Sequence, residues 1–196
     1  MTLQRTQVSA DPDTPDATLV ARTRAGEAAA LGALYERHGG ALLALARRLL
    51  GNDADAEDVL HDVFLGLPEA LRHYEERGAL GAWLRRVTAR VALNRLRARE
   101  RTRETSLDVH DAHDVHDVHG AHEARGAHDA DALHDALSLE AAVAALPDTL
   151  RVVLVLHEIA GLPHADVARL LDITPGASEV RLHRAIRALR LSLGTR

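Results

Sequence analysis

The chain has no cysteine and no lysine, and its 196 residues include one tryptophan, one phenylalanine and two tyrosines. Without cysteine there is no disulfide framework and no thiolate ligand, so a metal site would have to be built from histidine and carboxylates. With aromatics this scarce, Leu, Ala and Val carry the apolar load, which suits packed helices better than sheets. No run is long and apolar enough for a membrane span, and the opening MTLQRTQVSADPDTPD lacks the apolar centre of a signal peptide. A cytoplasmic chain with no membrane insertion is therefore expected. A Gly-rich phosphate loop, a nucleophile elbow and a compact metal-catalysis motif are also missing, so neither an enzyme nor a cofactor is expected.

What is present is charge, sorted by position. The formal net charge is -5, yet Arg85 to Arg103 holds eight arginines against one Glu, and Arg181 to Arg196 is basic with no acid. Between them, Glu104 to Leu137 holds nine carboxylates against Arg125 alone. Two basic blocks flanking an acidic one imply a division of labour that the average conceals. Arginine also brings forked donors suited to phosphate and guanine.

The apolar pattern divides the chain into two small helical domains joined by a flexible linker. Residues 1–15, with Pro12 and Pro15 among polar neighbours, read as a tail. Helix is expected from Asp16, as N-cap, to about His38, with a break at Gly39 and Gly40, and again over 41–50 to a stop at Gly51. Asp53 or Asp55 should cap a third helix with the stripe Val59, Leu60, Val63, Phe64 and Leu67, which Pro68 should kink or end. A long helix follows Gly78, with Leu80, Trp83, Leu84, Val87 and Val91 inward and Arg86, Arg90, Asn94, Arg97 and Arg101 on its other side. Periodicity alone leaves that polar stripe open between a solvated face and a nucleic-acid face. Trp83 can stack on an unpaired base, but its place on the apolar side favours core packing. Residues 138–196 read as helix, turn at Gly161, short helix, turn at Thr174 to Gly176, and a final helix, which is a helix-turn-helix and points to DNA.

The runs LYERH (Leu34 to His38), AED (Ala56 to Asp58), WLRRV (Trp83 to Val87), LP (Leu146, Pro147) and LHRA (Leu182 to Ala185) stand in an order and spacing that resembles the extracytoplasmic-function subgroup of bacterial RNA polymerase sigma factors. The resemblance implies region 2 over 16–103, an acidic His-rich linker over 104–137 and region 4 over 138–196. It implies core RNA polymerase and promoter DNA as partners, and an anti-sigma factor of the kind members often have. Asp55, Glu57, Asp58, His61 and Asp62 would dock on polymerase; carboxylates on one helix face can pair with arginines across an interface, though the same acids also suit a helix N-terminus. Arg86, Arg90, Asn94 and Arg97 would meet the -10 element. Ser178, Glu179, Arg181 and Arg184 would meet the -35 element from the first turns of the final helix.

The chain departs from the family at His61 (usually Gln), Pro68 (an aromatic), Arg90 (Asn) and Asn94 (Asp), and it reads GASEVR over 176–181 where members commonly read GTVKSR. Glu179 there removes a phosphate partner but can accept from a cytosine amine. The linker departs furthest, with seven of thirteen histidines in 108–135. His110, His113, His116 and His119 recur at every third position and are candidate metal ligands. The preferred reading of the repeat is a solvated tether grown by codon-repeat expansion, with metal binding as the second. Two other functions stay open on sequence: a helix-turn-helix regulator that binds an operator directly, and a metal-binding protein on a degenerate sigma scaffold.

Overall fold

The computed structural model describes residues 13–75, 79–106 and 138–194. Every regular element among them is helical: α1 (Asp16–Arg24), α2 (Ala28–Leu50), α3 (Asp53–Arg72), α4 (Leu80–Ser106), α5 (138–144), α6 (Asp148–Leu154), a π-helical turn (Val155–Ile159), α7 (His164–Leu171) and α8 (Pro175–Ser192).

In the first half, α2 is the centre, with α1, α3 and α4 packed on it. Leu34, Leu42, Leu45 and Leu49 of α2 recur at helical spacing and are almost wholly buried, in one core with Val59, Leu67 and Leu71 of α3 and Leu84, Ala89 and Ala92 of α4. Each leucine so buried contributes about 1.5–3 kcal/mol. In the second half, Val153, Val155, Leu156, Val167 and Ala185 form the inner layer that fixes α8 against α6 and α7. The buried core runs on between the halves, because α2 also packs against α6 and the π-helical turn. Two polar links reinforce this contact: Arg48 Nη2 donates to Glu140 Oε1, and Arg97 Nη2 donates to the Leu170 carbonyl.

Several boundaries differ from the sequence expectation. The first break falls at Gly26 (φ +86°), and α2 runs straight through Gly39 and Gly40. Two helical glycines cost about 1 kcal/mol each, which the leucine stripe on both sides of them outweighs. Asp16 lies in the first turn of α1, and Pro15 holds the cap position. The cap of α3 is Asn52, whose Oδ1 accepts from the Asp55 N–H at 2.8 Å. Pro68 does not end α3, because Leu67 and Leu71 carry the buried stripe past it to Arg72. Gly176 lies inside α8, which starts at Pro175 with the Thr174 hydroxyl accepting from Ala177 N–H at 3.1 Å. The left-handed residue of that turn is Asp172 (φ +53°), a residue type that tolerates this conformation better than most.

Candidate nucleic-acid and partner interfaces

Helix α4 sorts its side chains as an amphipathic helix must. Leu84, Ala89, Ala92 and Leu93 are buried, whereas Arg86, Arg90, Asn94 and Arg101 are exposed along one side. Trp83 packs on the core with its ring 4.9 Å from that of Tyr74. Arg97 breaks the stripe: it is half-buried and holds the Leu170 carbonyl of α7. Three of the four residues expected at the -10 element thus share an open face, and the fourth is turned to the other half of the molecule.

The acidic set on α3 divides in two. Glu57, His61 and Asp62 are exposed. Asp55 faces α4, where Arg95 Nε donates to it at 3.0 Å and Arg99 Nη1 at 2.6 Å. Arg95 also pairs with the exposed Asp58. A hydrogen bond from Asn52, with those of the arginines and their charge, holds the Asp55 carboxyl below the usual carboxylate range against the opposing effect of burial. Asp55 is therefore a strut between α3 and α4 rather than an open docking acid, a pairing across forty residues that spacing does not reveal. Leu65 is the residue that sequence reading missed here. It is 67% exposed, and it stands off the buried stripe, one turn from His61 and Asp62.

On α8 the expectation needs a correction. Ser178 is fully buried, and its hydroxyl lies 2.9 Å from His164 Nδ1, so it cannot reach a base. The His164 ring is stacked on that of His157 (centroids 4.1 Å, planes 12° apart), and His157 Nδ1 donates to the Leu162 carbonyl at 2.8 Å. With Ser178 inward and about 100° per residue, the outward direction falls on Val180, His183, Arg184 and Arg187. All four are exposed, as is Glu179, whereas Arg181 lies on the flank, half-buried. Val180 and His183 had no place in the expected set. The signal for them was the buried pair Leu182 and Ala185, which fixes the opposite face.

Among the described residues, no three His, Asp or Glu side chains are grouped to hold a metal, and no helix is long and apolar enough to cross a membrane. His110, His113, His116 and His119 lie outside the described residues.

Helical among its described residues, the chain turns an exposed arginine face outward from each of its two halves, the arrangement that a two-module nucleic-acid-binding protein requires. Comparison with known proteins narrows the class. Residues 34–102 match Sigma-70 region 2 and residues 136–189 match Sigma-70, region 4, together more than half of the chain. The chain is 30% identical over 157 residues to the ECF RNA polymerase sigma factor SigE of Mycolicibacterium smegmatis, covering 80% of this chain and 59% of that protein. It is 29% identical over 180 residues to the RNA polymerase sigma-H factor of Pseudomonas aeruginosa, covering 91% and 93%. Among solved structures, it is similar to CnrH in complex with the cytosolic domain of CnrY, with a TM-score of 0.52 and 26% identity over 94% of this chain and 98% of that one. A sigma factor RpoE bound to the anti-sigma factor NepR from Bartonella quintana shares the fold, with a TM-score of 0.57 and 22% identity over 82% and 94%. The chain belongs to the extracytoplasmic-function sigma factors of bacterial RNA polymerase.

Proposed function

We propose that this chain is the promoter-specificity subunit of an RNA polymerase holoenzyme, acting in the cytoplasm through binding alone and without chemistry of its own. Residues 16–103 serve as region 2, with α4 running three residues beyond the expected boundary to Ser106, and 138–196 serve as region 4. The open part of the α3 face (Glu57, Asp58, His61, Asp62) docks on core polymerase. Arg86, Arg90 and Asn94 of α4 engage the -10 element, with Arg97 joining them once it leaves the Leu170 carbonyl. Glu179 and Arg184, with Arg181 at the flank, engage the -35 element. An anti-sigma factor holds the chain in reserve, as CnrY is bound to CnrH and NepR to RpoE in the related structures.

The observation that carries this reading is the pair of exposed arginine faces, one on α4 and one on α8, in a chain whose acids face outward on a third helix. Arginines at helical spacing reach phosphates along one groove wall, while Asn94 offers both a donor and an acceptor to a base edge. A stand-alone operator-binding regulator would need only α8. The test is run-off transcription from genomic fragments by core polymerase with and without this chain. New transcripts that start at defined sites and disappear with Arg90→Ala plus Arg184→Ala are expected. Core polymerase that binds the chain yet gives no new transcript, with CnrY-like partners absent, would overturn the reading.

A further inference from the structure

Two residues in the first turns of α8 are placed against their polarity: Ser178 is fully buried, and Val180 is exposed. A hydroxyl in the core is costly unless it is hydrogen-bonded. His164 at the start of α7 supplies the partner, with its ring nitrogen 2.9 Å from the Ser178 hydroxyl, and the stacked His157 ring covers its face. The buried hydroxyl is therefore satisfied inside the domain, with Ser178 on the inner side of α8.

The consequence lies on the other side of the helix. Val180 stands about 200° round from Ser178, in the second turn of α8, and is 51% exposed although it is β-branched and apolar. Its neighbours on that face, Glu179, His183, Arg184 and Arg187, are polar and exposed. A recognition helix uses this part of its surface to meet base edges. The major groove offers one apolar group to a side chain there, the 5-methyl of thymine, and the other three bases offer only donors and acceptors.

We propose that Val180 is a specificity-determining residue of the upstream promoter element, which selects thymine at one position by covering its methyl group. The proposal rests on the promoter-reading function above. A residue with a hydroxyl at this site can satisfy several base edges, whereas valine gains only where a methyl is present and leaves a donor or acceptor uncovered elsewhere. The chain thus prefers an upstream element with a thymine at the position that Val180 meets.

The experiment uses holoenzyme assembled from core polymerase and the full chain, and a promoter library randomised over the upstream element with the downstream element held constant. Wild-type protein should enrich thymine at one upstream position. Replacing that thymine by deoxyuridine, which keeps every hydrogen-bonding group and lacks only the methyl, should weaken binding about four-fold, the value of one buried methylene-sized group. Val180→Ser, an exposed change that leaves the core intact, should bind the thymine and deoxyuridine promoters alike. Deoxyuridine without effect at every upstream position, or Val180→Ser retaining the full difference, would overturn the proposal and leave Val180 as a contact for a protein partner. A library in which no upstream sequence is enriched at all would overturn the promoter reading itself, and the proposal with it.

Discussion

Asp55 of α3 and Arg99 of α4 meet at 2.6 Å on one carboxylate oxygen, which also accepts from Asn52 Nδ2 at 2.9 Å, while Arg95 donates to the other oxygen at 3.0 Å. The strut ties the basic half of α4 to α3, whose exposed side carries Glu57, His61 and Asp62. Asp55 has a folded-state pKa below its ordinary value, with Asn52 as the first cause. Such a group contributes stability above the unfolded carboxylate value of about 3.9, and the contribution is lost as pH falls through the lower folded value.

Asp55→Asn should therefore destabilise the chain at pH 7 by about 1.5–3 kcal/mol, the range for hydrogen bonds to charged groups. The lower end is expected because Arg95 and Arg99 are each about one-third exposed and partly screened. The gap between variant and wild type should close as the pH is taken below about 4. Urea denaturation at a series of pH values reads both effects; a gap that stays constant down to acid pH would show that the loss comes from packing.

Gly40 gives a prediction of opposite sign. It sits inside α2 with helical backbone and nothing within 4 Å of where a Cβ would stand. Gly40→Ala removes backbone freedom from the unfolded chain at no steric cost and should stabilise by about 0.5–1 kcal/mol. At this chain length that raises the midpoint of thermal unfolding by roughly 1–4 °C. A lowered midpoint in a thermal melt would mean that α2 needs its pliancy at this point.

That glycine pair also shows where sequence reading stops. Two adjacent glycines are a strong local stop signal, and the break was expected there; the leucines at 34, 42, 45 and 49, all facing one core, decide otherwise. The all-helical class, the final helix-turn-helix and the inward stripes were legible because they follow from spacing alone. The faces were less so. Ser178 reads as a base-contacting residue because it is polar and early in the last helix; its spacing of four and seven from Leu182 and Ala185 puts it on the buried side, and His164, fourteen residues upstream, takes its hydroxyl there. Asp55 likewise belongs to a charge pattern that suits any docking helix, until Arg95 and Arg99 are brought across from another helix. Contacts between distant residues are not written in periodicity, and they decided the placing of Asp55 and Arg97.

The link between the halves should be breakable by charge. Arg48 pairs with Glu140, and Arg97 donates to the Leu170 carbonyl, so the arrangement competes with the proposed use of Arg97 on DNA. Glu140→Arg places like charges opposite each other, and together with Arg97→Ala it removes both polar links while leaving each half's own core untouched. Small-angle scattering should show a larger radius of gyration for the double variant than for wild type, and more so at low salt, where repulsion is less screened. An unchanged scattering curve at both salt concentrations would show that the apolar contact of α2 with the π-helical turn suffices to hold the halves together.

Arg184 offers the most direct reading of how α8 meets DNA. It lies fully on the outward face, whereas Arg181 is half-buried on the flank. An arginine that neutralises one phosphate contributes about 0.9 to the slope of log affinity against log salt and weakens binding evenly across sequences when removed. If Arg184 instead grips a guanine edge, its removal should cost about 1–3 kcal/mol on cognate promoters and little elsewhere. Since the centre of the outward face is taken by Val180 and His183, Arg184 stands one step toward the groove wall, and the phosphate role is expected. Holoenzyme carrying Arg184→Ala should show a salt slope shallower by about 0.9 on specific and non-specific DNA alike, with Arg181→Ala changing it less. A loss confined to the cognate promoter, at an unchanged slope, would move Arg184 from the backbone to the bases.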